Sequence, residues 1–107
     1  MAYTVEDLSP DAVAAALAND EILLVDVREP HELAMARIPE AVNVPLSRFD
    51  PAAIPDPQGK RVVFMCAGGV RSIQASEIAQ GHGLPYGQHL AGGLKAWAMA
   101  GHGFERG

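Results

Sequence analysis

The sequence predicts an α/β fold built on a mainly parallel sheet. Ile22-Leu23-Leu24-Val25-Asp26-Val27 and Arg61-Val62-Val63-Phe64-Met65 are continuous apolar runs of strand length, as expected for strands buried on both faces. Stretches of helical composition, marked by helix-end residues, separate and follow them. Such alternation belongs to a parallel sheet joined by crossovers. The 107 residues suit one domain, taken here as residues 1–107.

Taken in order, Tyr3-Thr4-Val5 reads as a short edge strand. Ser9-Pro10 pairs an N-cap residue with proline at the first helical position. The helix predicted over 11–19 puts Val13, Ala16 and Leu17 on one face, and Asn19-Asp20 ends it. The strand at Ile22–Val27 finishes in the charged group Asp26, Arg28 and Glu29. Pro30 opens a short helix to Ala36. Ala41 to Val44 forms a short strand between Pro39 and Pro45, and Leu46 to Asp50 a helical turn. Three prolines and a glycine make Pro51 to Gly59 an irregular loop. Arg61–Met65 is the second buried strand, and Cys66 closes it. After a glycine-containing loop, Ser72 opens a helix to about His82, with Gly81 and Gly83 as its stop. Gln88-His89-Leu90 is the last short strand. Gly92-Gly93 turns the chain into a final helix, Leu94 to Met99, with Gly101 past its end.

Composition excludes several function classes. The formal net charge is −5, with 8 Lys+Arg against 13 Asp+Glu. An extended nucleic-acid surface needs a basic excess to release counterions from phosphates. No apolar run approaches the roughly 20 residues that span a bilayer. Met1 to Asp7 carries neither a basic n-region nor an apolar h-region, so no signal peptide is expected and a cytoplasmic location is the default. The single cysteine cannot form an internal disulfide or a Cys-x-x-Cys dithiol, and it excludes a cysteine-rich zinc site. His31, His82, His89 and His102 show no ligand spacing, so no metal is expected. Any chemistry at Cys66 must finish on an external acceptor.

The segment Cys66-Ala67-Gly68-Gly69-Val70-Arg71-Ser72 carries the chemistry. A cysteine between a strand end and a helix start faces the helix's unpaired amides, which favour a thiolate or a bound anion. Gly68 and Gly69 allow successive N–H groups to turn inward as an anion nest. Arg71 adds a full charge and planar donors, and Ser72 is a cap residue. The competing reading is an inert, buried strand-end cysteine. The glycine pair, arginine and serine together favour the reactive one.

At these residues the chain resembles the rhodanese domains. Cys66 to Ser72 looks like the rhodanese active-site loop, and Asp26-Val27-Arg28-Glu29 like the family's Asp-Val-Arg-Glu motif. Arg37-Ile38-Pro39-Glu40-Ala41-Val42-Asn43-Val44-Pro45 is similar to its His-Ile-Pro-Gly-Ala-x-Asn-Ile-Pro segment. Leu90-Ala91-Gly92-Gly93-Leu94-Lys95-Ala96-Trp97 is similar to its closing Gly-Gly-x-x-x-Trp motif. The matches run in family order over nearly the whole chain. Arg37 stands where the family usually has His, and Glu40 where it usually has Gly. Both bear on a local turn or on partner contacts rather than on the Cys66 loop.

The resemblance implies a rhodanese-like fold, with about five strands and helices on both sheet faces. It implies a sulfurtransferase in which Cys66 thiolate takes the outer sulfur of a donor such as thiosulfate. Cyanide or a thiol would then remove that sulfur from a Cys66 persulfide. Ala67, Gly68, Gly69, Val70, Arg71 and Ser72 would hold the persulfide, with Arg71 tying down the loop or the donor's oxyanion. No cofactor is required. The partners would be small sulfur donors and acceptors, with a protein donor or acceptor as the alternative role of a sulfur-carrier module. Phosphatase or arsenate reductase chemistry is a third reading. Relatives with that chemistry have a loop one residue longer than the six counted here from Cys66 to Arg71.

Asp26 and Arg28 read as supports of the site or as an ion pair anchoring a turn, and the second reading is preferred. Arg37 reads as a solvated arginine, Trp97 as core, and Gly92-Gly93 as a turn with at most an indirect effect on the cleft. The histidines read as surface or turn residues, with His89 the one to check as a base.

Overall fold

The computed structural model describes residues 3–106; Met1, Ala2 and Gly107 of the expected 1–107 domain lie outside the described residues. Five strands form one sheet: β1 (Glu6–Leu8), β2 (Ile22–Asp26), β3 (Val42–Asn43), β4 (Arg61–Met65) and β5 (Gln88–Leu90). Their order is β1-β5-β4-β2-β3, and every pairing within the sheet is parallel. Four helices connect them: α1 (Pro10–Ala18), α2 (Pro30–Leu33), α3 (Arg71–Gly81) and α4 (Gly93–Met99). The expected fold class is the observed one.

Alternation along the two central strands builds two cores. Ile22 and Leu24 of β2 and Val63 and Met65 of β4 face one side, where Val13 and Ala16 of α1 and Trp97 of α4 pack on them. Val25 of β2 and Val62 and Phe64 of β4 face the other, against Ala75 and Ala79 of α3. Helices therefore cover both faces, which is why these strands are apolar apart from Asp26 and Arg61 at their ends. Trp97 is core, as expected, and its Nε1 donates to the Gly103 carbonyl at 3.0 Å.

Ser9 caps α1 by accepting from the Ala12 amide, with Pro10 at the first turn. Glu29 caps α2 in a reciprocal capping box with Glu32. Short 3-10 turns occupy Leu46–Arg48 and Pro51–Ala53, the second inside the expected irregular loop. The helix expected from Pro30 to Ala36 stops at Leu33.

Two expectations are corrected. Tyr3-Thr4-Val5 is not a strand; β1 lies three residues later, at Glu6–Leu8. β1 is an edge strand with largely exposed polar side chains, so its pairing with β5 leaves no apolar pattern to read. Ser72 does not cap α3. The helix begins at Arg71, and Val70, in helical conformation, precedes it.

Strand order locates the cleft. From β2 the chain moves outward to β3, and from β4 it moves the opposite way to β5. The boundary between β2 and β4 is therefore a topological switch point. Ligands in open parallel sheets sit beyond the strand carboxyl ends at such a point. Cys66 follows β4 there, and Asp26 ends the neighbouring strand in register with Met65.

Candidate active site

Cys66 is the free cysteine at the head of the β4–α3 loop, and the residue is only 1% exposed. Its Sγ accepts hydrogen bonds from the amides of Gly69 at 3.1 Å and Ser72 at 3.4 Å. The Ser72 hydroxyl lies 3.5 Å from the same sulfur. Burial is the largest influence and pushes the thiol up. The Ser72 hydroxyl and the amides of Ser72, Gly69 and Gly68 outweigh it together, leaving Cys66 below the ordinary cysteine range. The loop thus favours a thiolate through hydrogen-bond donors that outweigh the cost of burial.

Gly69 makes that ring feasible. Its φ is +94°, and a Cβ there would stand 3.0 Å from the Gly92 nitrogen. Gly68 and Val70 are exposed at the loop surface, Val70 at 69%. Ala67 is half-buried.

Arg71 faces α2. Its Nη1 and Nη2 donate to the two Glu32 carboxylate oxygens at 2.7 and 2.8 Å. Arg71 beside it holds the Glu32 carboxyl down at about 2, and Glu32 in turn raises Arg71. Glu32 also accepts from the Glu29 amide at 2.8 Å, which ties the capping box of α2 to the loop. The sequence reading did not name Glu32. Its visible signal is its position three residues after Glu29, where a capping box places an acidic side chain.

Asp26 and Arg28 form a buried ion pair, 1% and 3% exposed. Arg28 Nη2 lies 2.8 Å from Asp26 Oδ2, and also donates to the Ala36 carbonyl at 2.9 Å. Asn43 Nδ2 donates to the carbonyls of Asp26 and Arg28. This cluster fixes the turn between β2 and α2, and neither Asp26 nor Arg28 is hydrogen-bonded to the Cys66 loop. Arg37 is exposed and pairs with Glu105 through both backbone and side chain.

The Gly92-Gly93 turn lies closer to the site than its sequence implied. The Leu94 and Lys95 amides at the start of α4 donate to the Cys66 and Ala67 carbonyls at 2.8 and 3.1 Å. Gly93, at φ +62°, is packed so closely that a Cβ would stand 2.4 Å from the Cys66 oxygen. Beside Ala67, a shallow groove is walled by Ala36, Leu94 and Phe104 and also lined by Lys95 and Arg106.

His89 corrects the reading of the histidines as surface or turn residues. It is 2% exposed and lies within hydrogen-bond reach of both Ser72 and Asp7. His31 and His82 are exposed, and His102 is half-buried against Trp97. Among the described residues no His, Cys, Asp and Glu group has the arrangement of a metal site. Nor is any described helix long and apolar enough to cross a membrane.

A model of the rhodanese-like domain matches residues 9–100. A protein of Allochromatium vinosum named sulfurtransferase is 34% identical over 98 residues, spanning 91% of this chain and 92% of its own. An uncharacterised Synechocystis protein, slr1261, is 37% identical over 94 residues; the match takes in 88% of this chain but only about half, 52%, of that one. Among solved structures, a thiosulfate sulfurtransferase of Pseudomonas aeruginosa superposes with a TM-score of 0.79 at 31% identity. That match covers 96% of this chain and 20% of the other. Sequence and fold agree over almost the whole length, and the chain belongs to the rhodanese-like domain family.

Proposed function

We propose that this chain is a sulfurtransferase that carries sulfur as a persulfide on Cys66, with thiosulfate as a donor and cyanide or a thiol as acceptor. The observation that carries the reading is the pair of amides, of Gly69 and Ser72, that donate to Sγ, with the Ser72 hydroxyl beside it at 3.5 Å. Relatives named sulfurtransferase support the reaction class, and the Pseudomonas protein's name supports the donor.

In the first half-reaction, Cys66 thiolate attacks the outer sulfur of thiosulfate. A new S–S bond forms, and the bond to the sulfonate breaks. Sulfite leaves with the electron pair, and Cys66 carries a persulfide. In the second, the acceptor attacks the outer sulfur and Cys66 thiolate departs. The cycle is ping-pong and needs no cofactor. The outer sulfur's negative charge would be held by amides of residues 67–72, acting as a small oxyanion-type cradle. A ring closed in six residues suits one sulfur atom better than a phosphate group. Lys95 and Arg106 in the groove beside Ala67 offer positive charge to an anionic donor on a chain whose net charge is −5.

Arg71 acts here by holding the loop. Both of its terminal nitrogens are engaged by Glu32, so donor binding through Arg71 would first have to break a bidentate pair. Asp26 and Arg28 support the site at one remove, through the turn that launches α2.

The test is thiocyanate production from thiosulfate and cyanide. The wild type should turn over and Cys66→Ser should not. Undiminished turnover in Cys66→Ser would overturn the assignment of the nucleophile.

A second reading, docking on a protein donor or acceptor, is favoured by Val70. This apolar side chain stands 69% exposed on the reactive loop itself. Val70→Ser, which removes the apolar surface without adding charge to the anion cradle, should then slow exchange with a protein partner more than it slows thiosulfate turnover. Equal losses in both reactions would argue against a docking role.

A further inference from the structure

The mechanism above leaves one buried titratable side chain unused. His89 sits in β5, shielded from solvent, with a hydrogen-bonding partner on each ring nitrogen. Nδ1 lies 2.8 Å from the Ser72 hydroxyl, and Nε2 meets the Asp7 carboxylate on the neighbouring β1 strand. The Ser72 hydroxyl is the same one that lies 3.5 Å from Cys66 Sγ. An unbroken chain thus runs from sulfur to hydroxyl to imidazole to carboxylate. The Asp7 side chain is 74% exposed, so the chain begins at the nucleophile and ends in water.

We propose that His89 is a positioning residue that, acting through Ser72, takes up the proton Cys66 loses when it becomes the attacking thiolate. The chemistry of each partner fixes the direction. A carboxylate only accepts, so Nε2 carries a proton in both states and Nδ1 is the nitrogen free to accept the proton passed on by Ser72. With Cys66 as a thiol, S–H points to Ser72 Oγ, and the Ser72 O–H points to Nδ1. On ionisation the S–H bond breaks and its proton joins Ser72 Oγ. The proton already on Ser72 passes to Nδ1. The products are a thiolate, an unchanged hydroxyl and an imidazolium, with no net change in charge. The Ser72 hydroxyl then donates to the sulfur, and Asp7 stabilises the imidazolium. The hydroxyl thus reverses direction as the sulfur's state changes, which an ordinary structural serine need not do.

The surrounding charges leave this pair largely to itself. Of the charged residues on the flanking strands, Asp7 is bonded to the ring, while Glu6 and Arg61 engage the Gln88 side chain. On β4, Phe64 stands in register with His89. On α3, Arg71 is held by Glu32, and Glu77 is exposed. Cys66 and Asp7 are therefore the two ionisable partners that His89 serves.

The inference rests on Cys66 being the reactive thiol, and not on what the donor is. It is tested by the rate of Cys66 alkylation with iodoacetamide as a function of pH, which needs no sulfur donor. His89→Asn keeps an acceptor for Ser72 but removes the titrating nitrogen. Its alkylation midpoint should move to higher pH by about one pH unit, which slows the reaction about tenfold below the wild-type midpoint. Ser72→Ala should move it the same way, and the double variant should be no slower than the slower single one, because the two act as one unit. Should His89→Asn fail to fold, Asp7→Asn at the exposed end serves in its place, with slower alkylation expected. Alkylation profiles in these variants that superimpose on the wild-type one would overturn the proposal. A Cys66 that resists alkylation at every pH in the wild type would instead contradict the reactive-thiol reading beneath it.

Discussion

At the scale of residues, the site is a thiol whose surroundings have been changed more by hydrogen bonding than by charge. Burial alone would make Cys66 a poor nucleophile, and the Ser72 and glycine-loop donors reverse that. Arg71, the cation of the loop, is committed to Glu32. This separates two roles that the sequence left joined, loop holding and donor binding. If Arg71 holds the loop, Glu32→Gln and Arg71→Ala should each lower the rate of sulfur loading roughly tenfold, about 1.4 kcal/mol. The double variant should lose little more than either. Full loading in Glu32→Gln beside a loss in Arg71→Ala would assign Arg71 to the donor instead. Asp26 and Arg28 make a different prediction. Asp26→Ala strands a buried guanidinium and should cost about 3–5 kcal/mol of stability, read by urea denaturation. A loss below about 1 kcal/mol would mean that water reaches Arg28.

At the scale of elements, the Cys66 loop is held from three sides. α3 supplies the Ser72 amide and hydroxyl, α2 holds Arg71, and the first amides of α4 bind the Cys66 and Ala67 carbonyls. Gly93 is where the third support is tightest. Gly93→Ala adds a methyl in a left-handed conformation against the Cys66 carbonyl, so either the helix or the loop must move. About 1–3 kcal/mol of stability should be lost, and Cys66 alkylation should slow as the donor ring opens. Unchanged alkylation in a destabilised but folded variant would show that the ring survives without α4. The helices and central strands were legible because caps and apolar runs are local signals. Ser9-Pro10 marked α1, and Ile22–Val27 and Arg61–Met65 marked the centre of the sheet. β1 was not legible, because Glu6–Leu8 is defined by main-chain pairing with β5 and not by buried side chains. The role of Ser72 was hidden for a related reason. A serine at a helix start looks like a cap, and only the turn of the loop brings its hydroxyl under the sulfur.

At the scale of the whole molecule, the site is assembled from distant parts of the chain. Glu32 and Arg71 are 39 residues apart, and Asp7 and His89 are 82 apart. The cysteine, its loop and the fold family could be read locally. Contacts of that separation arise only once the sheet order β1-β5-β4-β2-β3 brings the strand ends together. Acid should therefore loosen the site by a route that can be followed. The Glu32 carboxyl is held down at about 2 in the folded chain, so its ion pair stabilises the fold fully above the ordinary carboxylate range. That contribution is lost as pH falls from this range toward about 2. Urea midpoints measured across this interval should fall less steeply in Glu32→Gln than in the wild type; parallel curves would contradict the linkage.

The central claim is that Cys66 carries sulfur. Its most direct test is intact-mass spectrometry of the protein after incubation with thiosulfate. The account predicts a gain equal to one sulfur atom, removed by cyanide or a thiol and absent in Cys66→Ser. A wild-type mass that never changes, or a gain that persists in Cys66→Ser, would contradict it.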